Sequence, residues 1–196
     1  VGAALAEAGH DVLLVDPSLG DSPIGVDEAV AAARIGGAPP AASGETGGGQ
    51  STNIYAGGVY ELDPDEALVI HAHAQIEPQY IGFHLSNLWG ESHDFANHQS
   101  SLNGHQADRE ADGSIYWVVA HRDPGVANWV DTTGHREGFM APRWAYSETP
   151  PRDRWPTISA VKVPFDRIRE HLPASVRTVG PAERAEQIRI RQEHVQ

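Results

Sequence analysis

Residues 80–86 read YIGFHLS, and the order of those side chains decides what the chain can fold into. Ile81, Phe83 and Leu85 are apolar, while Gly82, His84 and Ser86 between them are small or polar. Successive side chains on a strand point to opposite faces, so a strict two-residue period describes a half-buried β-strand and leaves no continuous apolar stripe for a helix. Working outward, NIYAGGVYEL (53–62), ALVIHAHA (67–74), SIYWVVAHR (114–122), GFMAPRWAY (138–146) and ISAVKV (158–163) are short runs rich in Val, Ile, Tyr, Phe and Trp. The turn-forming segments DPDE, ADGS, DPG and TPPRD separate them. Six or more such strands predict a mainly β fold, an antiparallel β-sandwich or jelly-roll-like domain over residues 51–172.

The flanks have a different grammar. ALAEAGHDVLLVD (4–16) reads as an Ala-rich helix, a stop at Gly9, a strand from Val12 to Val15 and an acid at Asp16. That is the look of a dinucleotide-binding βαβ unit without its glycine turn, so residues 1–16 are read as a truncated βαβ-like fragment, unable to seat a pyrophosphate. Residues 17–50, typified by IGGAPPAASGETGGGQ, have linker composition with one short helical patch around VDEAVAAARI. Gly44 to Ser51 has phosphate-loop spacing but carries Gln50 where the lysine belongs, and neither a strand nor a helix flanks it. PFDRIREHL reads as a short amphipathic helix closed by Pro173. Residues 173–196 form a helical tail, with Pro181 opening a helix that carries Glu183, Gln187 and Arg191 at four-residue steps. Docked or solvated, that helix also offers a surface for an oligomer or a neighbouring domain.

Composition narrows the partners. The formal charge of −13 is unevenly spread: before Lys162 stand 7 Lys and Arg against 22 Asp and Glu, and from Lys162 onward 7 against 5. An acidic body without a basic, aromatic-interleaved patch repels phosphate backbones and anionic lipid, so neither nucleic acid nor a membrane is expected as a partner. With no cysteine there is no disulfide, thiolate nucleophile or Cys-type zinc site. No run approaches the roughly 20 apolar residues of a spanning helix, and the opening lacks a basic leader region, so a soluble, cytoplasmic protein is expected.

Three longer stretches, YIGFHLSNLWGESHDFANHQSSLN, DGSIYWVVAHRDPGVANWVDTTG and GFMAPRWAY, occur in an order that resembles the bacterial domain-of-unknown-function family numbered 1214. The shared features are an aromatic strand, an SLN-type segment, a DGS turn, a His-x-Asp-Pro loop ending in Asn-Trp, and a strand with the Met-x-x-Arg-x pattern. The resemblance covers roughly residues 53–146. It implies a β-sandwich or jelly-roll-like domain, often the C-terminal half of a larger protein, and it carries no established activity or catalytic residues.

The candidate binding residues lie in two polar loops. In HRDPGVANW, Pro124 and Gly125 suit a type II turn, with Asp123 bonding a nearby N–H and Trp129 plugging the sandwich. Asn128 either bonds nearby backbone as Asp123 does or gathers with Trp89, Asn97 and Arg122 at one mouth of the sandwich, where His121, Arg122 and Asp131 read as a binding rim over a floor of Trp129 and Trp144, with Arg122 or Arg143 pairing a ligand carboxylate. NLWGESHDFANHQSSLN concentrates Asn87, Trp89, Asp94, Asn97 and Gln99, which either brace their own backbone or meet a ligand. An aromatic among amides is also how sugar-binding surfaces are built, so a small polar or carbohydrate-like ligand is the expectation.

The competing chemistry is a divalent metal. His71 and His73 share one strand face with Glu77 beyond them, as in half of a cupin site, and His84, His98 or His121 is needed as a third imidazole. No G-x-S-x-G elbow is present. Spacing alone singles out no carboxylate pair among Asp94, Asp123 and Asp131.

Overall fold

The computed structural model describes residues 52–195 and, ahead of them, two short strands, β1 (Leu13–Val15) and β2 (Ala41–Ala42). The rest of the βαβ-like fragment, the rest of the linker and the phosphate-loop spacing at Gly44–Ser51 lie outside the described residues. The strands that follow are β3 (Asn53–Tyr55), β4 (Gly57–Glu61), β5 (Glu66–His73), β6 (Tyr80–Ser86), β7 (Ser101–Asn103), β8 (Ile115–Ala120), β9 (Trp129–Asp131), β10 (Glu137–Ala145) and β11 (Thr157–Pro164). A 3-10 helix at Phe165–His171 and the helix α1 (Pro181–Val195) close the described chain. The mainly β expectation holds, and α1 begins at Pro181 as read.

Two sheets face each other. In the front sheet β10 is central, with β6 and then β7 on one side, running antiparallel through Phe139↔Ser86, Arg143↔Gly82 and Gly82↔Asn103. On its other side β3 and β4 follow in tandem, joined across Ala56, whose N–H donates to the Pro142 carbonyl at 3.0 Å. β1 adds to β4 and β2 to β3, both antiparallel, so two short pieces of the segment read as fragment and linker are strands of this sheet. The back sheet runs β11–β5–β8–β9. Its β8–β9 pair is parallel, so the back sheet is mixed and not purely antiparallel as expected.

The two-residue period explains the packing. Ile81, Phe83 and Leu85 enter the core between the sheets together with Leu68, Ile70, Ala72, Trp117, Val119, Met140 and Trp144. Phe83 stacks on Trp117 across that space, ring centroids 4.9 Å apart. The back sheet is also covered on its far side, where Val69, Val118, Ala120 and Trp129 meet Ile168, Leu172 and Val176 of the chain after β11. Burial on both faces accounts for the unbroken apolar run Val118, Val119 and Ala120. The outer face of the front sheet stays largely polar: Glu61, Tyr80, His84 and Glu137 are exposed there. Among the described residues no helix is long and apolar enough to cross a membrane.

Candidate functional site on the outer face of the front sheet

The polar loops spend their side chains on themselves. Asn87 Oδ1 accepts from the backbone N–H of Trp89 and of Glu91, each at 3.0 Å, and leaves Trp89 80% exposed at the tip of its turn. Asp94 Oδ1 accepts from the N–H of Asn97 at 3.0 Å, and its other oxygen from Asn97 Nδ2 at 2.8 Å. These contacts, Asn97's side chain first, hold the Asp94 carboxyl below its ordinary range. Buried Gln99 donates to the Trp129 carbonyl at 2.5 Å.

The second loop is tied from outside. Gly125 has φ +70°, the conformation the type II turn requires, and its N–H donates to Asp123 Oδ1 at 2.8 Å. Arg184 of α1 then pairs with Asp123 at 2.9 Å. Asn128 clamps one backbone residue from both sides, accepting from Asp108 N–H at 2.8 Å and donating to Asp108 C=O at 2.7 Å. His121 lies 3.1 Å from the Leu62 carbonyl through Nε2, so Nε2 donates and Nδ1 accepts from the Thr132 hydroxyl at 2.7 Å. Arg122 lies 3.8 Å over the Phe165 ring. Trp129 and Trp144 do not share a pocket floor: Trp144 is fully buried between the sheets, and Trp129 packs beyond the back sheet with its indole donating to the Ala120 carbonyl.

The histidines of β5 lie on the face opposite the inward Leu68, Ile70 and Ala72. His71 stacks on Tyr116 at 4.6 Å, and Glu77, expected to complete the metal set, pairs instead with Arg109 at 2.6 Å. Among the described residues no three metal-binding groups converge. At one end of the sandwich His98 Nδ1 lies 2.8 Å from Asp131 Oδ2, His93 Nδ1 lies 2.6 Å from the Thr133 hydroxyl, and His93 meets His135 edge-on at 4.2 Å. This cluster joins the β6–β7 loop to β9 and the turn after it.

Among the candidate residues, Arg143 lies on the outer face of the front sheet. β10 alternates, so Met140, Pro142 and Trp144 are buried while Ala141, Arg143 and Ala145 face outward. The Arg143 guanidinium lies 4.8 Å from the Tyr80 ring centroid and 6.0 Å from that of Tyr55. The two hydroxyls, Tyr55's foremost, push its pKa further up. No carboxylate among the described residues pairs with it, whereas Arg109, Arg136, Arg167, Arg177, Arg184 and Arg189 all have one.

Arg143 borders a depression of about 240 Å³ whose lining includes Tyr55, Tyr80, Gly82, His84, Ser101, Asn103 and Gln106. Asn103 Oδ1 accepts from the N–H of His105 and of Gln106, and Gln106 Oε1 accepts from the N–H of Asn103. Backbone donors thus occupy both amide oxygens and leave both NH₂ groups as the available donors. His84 sits on the same face, paired with Ala141 and Ser101 in the register. Desolvation, and then the charge of Arg143, lower its pKa, so it is neutral near neutral pH. The lining holds no Asp or Glu, in a chain with 27 of them. Sequence reasoning read Arg143 on a strand but grouped it with the HRDPGVANW loop, and it took in Asn103 only as part of the polar stretch NLWGESHDFANHQSSLN; Tyr55, Tyr80, Ser101 and Gln106 were missed. The outward positions flanking the YIGFHLS alternation were the signal that could have found Tyr80 and His84.

No family model and no curated protein matches the chain. It is similar to the crystal structure of an uncharacterised protein from Burkholderia cenocepacia, with a TM-score of 0.56 and 33% identity over 65% of this chain and 35% of that one. A protein from Vibrio parahaemolyticus also matches, with a TM-score of 0.42 and 14% identity over 56% of this chain and 31% of that one. The chain spans about a third of the length of these solved structures.

Proposed function

We propose that this domain binds a small polar organic anion, carbohydrate-like in its hydroxyl content, on the outer face of the front sheet, and that it belongs to the family numbered 1214. The observation that carries the binding reading is the lining: an arginine without a carboxylate, two amides with only their NH₂ groups available, and no acid, on a protein of net charge −13. Arg143 supplies a planar fork suited to a carboxylate or phosphate. Arg143, Gly82 and Asn103 are cross-strand neighbours. At roughly 4.8 Å per strand the amide therefore lies about 10 Å from the arginine in backbone terms, enough to span one sugar-sized body. Gly82 carries no side chain on that path, and the Tyr80 ring and hydroxyl lie over it.

Calorimetric titration with a hexuronate and with the corresponding neutral hexose tests the reading on wild type and on Arg143→Gln. The acid is expected to bind, the neutral sugar to bind at least about tenfold more weakly, and Arg143→Gln to lose a similar factor. Equal binding of both sugars, or an acid affinity indifferent to Arg143, would overturn it.

A further inference from the structure

We infer that His84 sets the specificity of this cradle: it takes up a proton as an anion binds, and the site thereby favours a doubly charged tetrahedral head group, that of a phosphate monoester, over a carboxylate. The inference rests on the anion-binding reading and deepens it. His84 and Arg143 occupy neighbouring outward positions on β6 and β10, with His84 opposite Ala141 and Gly82 opposite Arg143. Both line the same depression, so one compact ligand reaches both.

The groups facing His84 are few. From β10 comes the cation Arg143; from β6 comes Tyr80; from β3 comes Tyr55; from β7 and its following turn come the uncharged Ser101, Asn103 and Gln106. No carboxylate on the lining offers a counter-charge, and Arg143 repels a proton on the imidazole. A bound monoanion cancels the Arg143 charge and removes that repulsion. A dianion leaves one negative charge over, which attracts the imidazole proton directly. Ligand binding and protonation are then linked reciprocally: the anion raises the pKa of His84, and acidification raises affinity for the anion. Ser101 and the two amide NH₂ groups supply the further donors that a tetrahedral head group uses and a planar carboxylate does not.

The test follows the His84 ring protons by NMR from about pH 5 to about pH 8, the signal being identified by its loss in His84→Gln. Sodium sulfate serves as the dianion because it does not titrate in this range, with sodium acetate at equal ionic strength as the monoanion. Sulfate is expected to raise the His84 midpoint by about one pH unit and acetate by less. The rise should disappear in Arg143→Gln and partly return in Arg143→Lys. Neither substitution touches the core, and unchanged core tryptophan signals confirm the fold in each. If sulfate shifts the Ser101 and Asn103 amide signals while the His84 midpoint stays put, the His84 inference fails and the anion reading stands. If neither anion moves any signal of the lining in the wild type, both fail.

Discussion

A Cβ added at Gly82 would lie 2.5 Å from the Tyr80 hydroxyl oxygen and 2.9 Å from two of its ring carbons. Tyr80 is 41% exposed, so its ring can swing away, but it then leaves Arg143. Gly82→Ala is therefore expected to change stability by no more than about 1 kcal/mol in urea unfolding while weakening hexuronate binding several-fold; intact affinity would show that Tyr80 does not shape the cradle. Asn128 should behave in the opposite way. Its amide satisfies both polar groups of one backbone residue, so Asn128→Ala should cost about 2–3 kcal/mol in the same assay and leave anion affinity unchanged. An isolated sequence shows Asn128 and Arg143 alike as polar residues near tryptophans. What separates them is Asp108, twenty positions from Asn128, and the lack of any acid beside Arg143, and neither follows from local pattern.

At the scale of elements, α1 docks through arginines. Arg184 is 6% and Arg191 8% exposed, seven residues apart and so on one helix face. Arg184 pairs with Asp123 and donates to the Val126 carbonyl at 2.6 Å, while Arg191 donates to the carbonyls of Phe95 and Ser101. Replacing Arg184 with Met keeps much of the stem's packing over Trp129 but leaves Asp123 and a buried carbonyl unmatched. Breaking a fully buried pair costs about 3–5 kcal/mol, and since Asp123 keeps solvent contact, a loss of about 2–3 kcal/mol is expected. Hydrogen exchange should quicken at Ala127 and Val179, whose N–H groups hold the loop to the chain before α1; unchanged protection there would refute helix docking as their support. The start of α1 and the long strands were legible because each rests on a local signal, Pro181 or the two-residue period. The buried stripe of α1 was not, because its acceptors are carbonyls about sixty and ninety residues away. β7 and β9 were missed for a related reason: three residues each inside polar loops carry no period of their own, and pairing with β6 and β8 defines them.

For the whole molecule, the weak point in acid is the end where the two sheets are tied. His93 is buried on the loop leaving the front sheet and contacts Thr133 and His135, next to β9 of the back sheet. Desolvation, then the neighbouring His135, lower its pKa below the ordinary 6.5, although the Ser86 carbonyl and Asp131 favour the charged form. The unfolded chain takes up a proton here near pH 6.5 while the folded chain does not, so stability falls as pH drops from that value toward the lower folded-state pKa. His84 acts in the same direction, as its pKa is lowered too. Each such group steepens the loss by at most about 1.4 kcal/mol per pH unit within its window. Urea midpoints measured from about pH 8 to about pH 5 should therefore fall less steeply for His93→Gln than for wild type, even if the variant starts lower. Carboxylates elsewhere contribute equally to both proteins, so the difference in slope isolates His93. Parallel slopes would mean that folding does not shift the His93 pKa and that the acid sensitivity arises elsewhere.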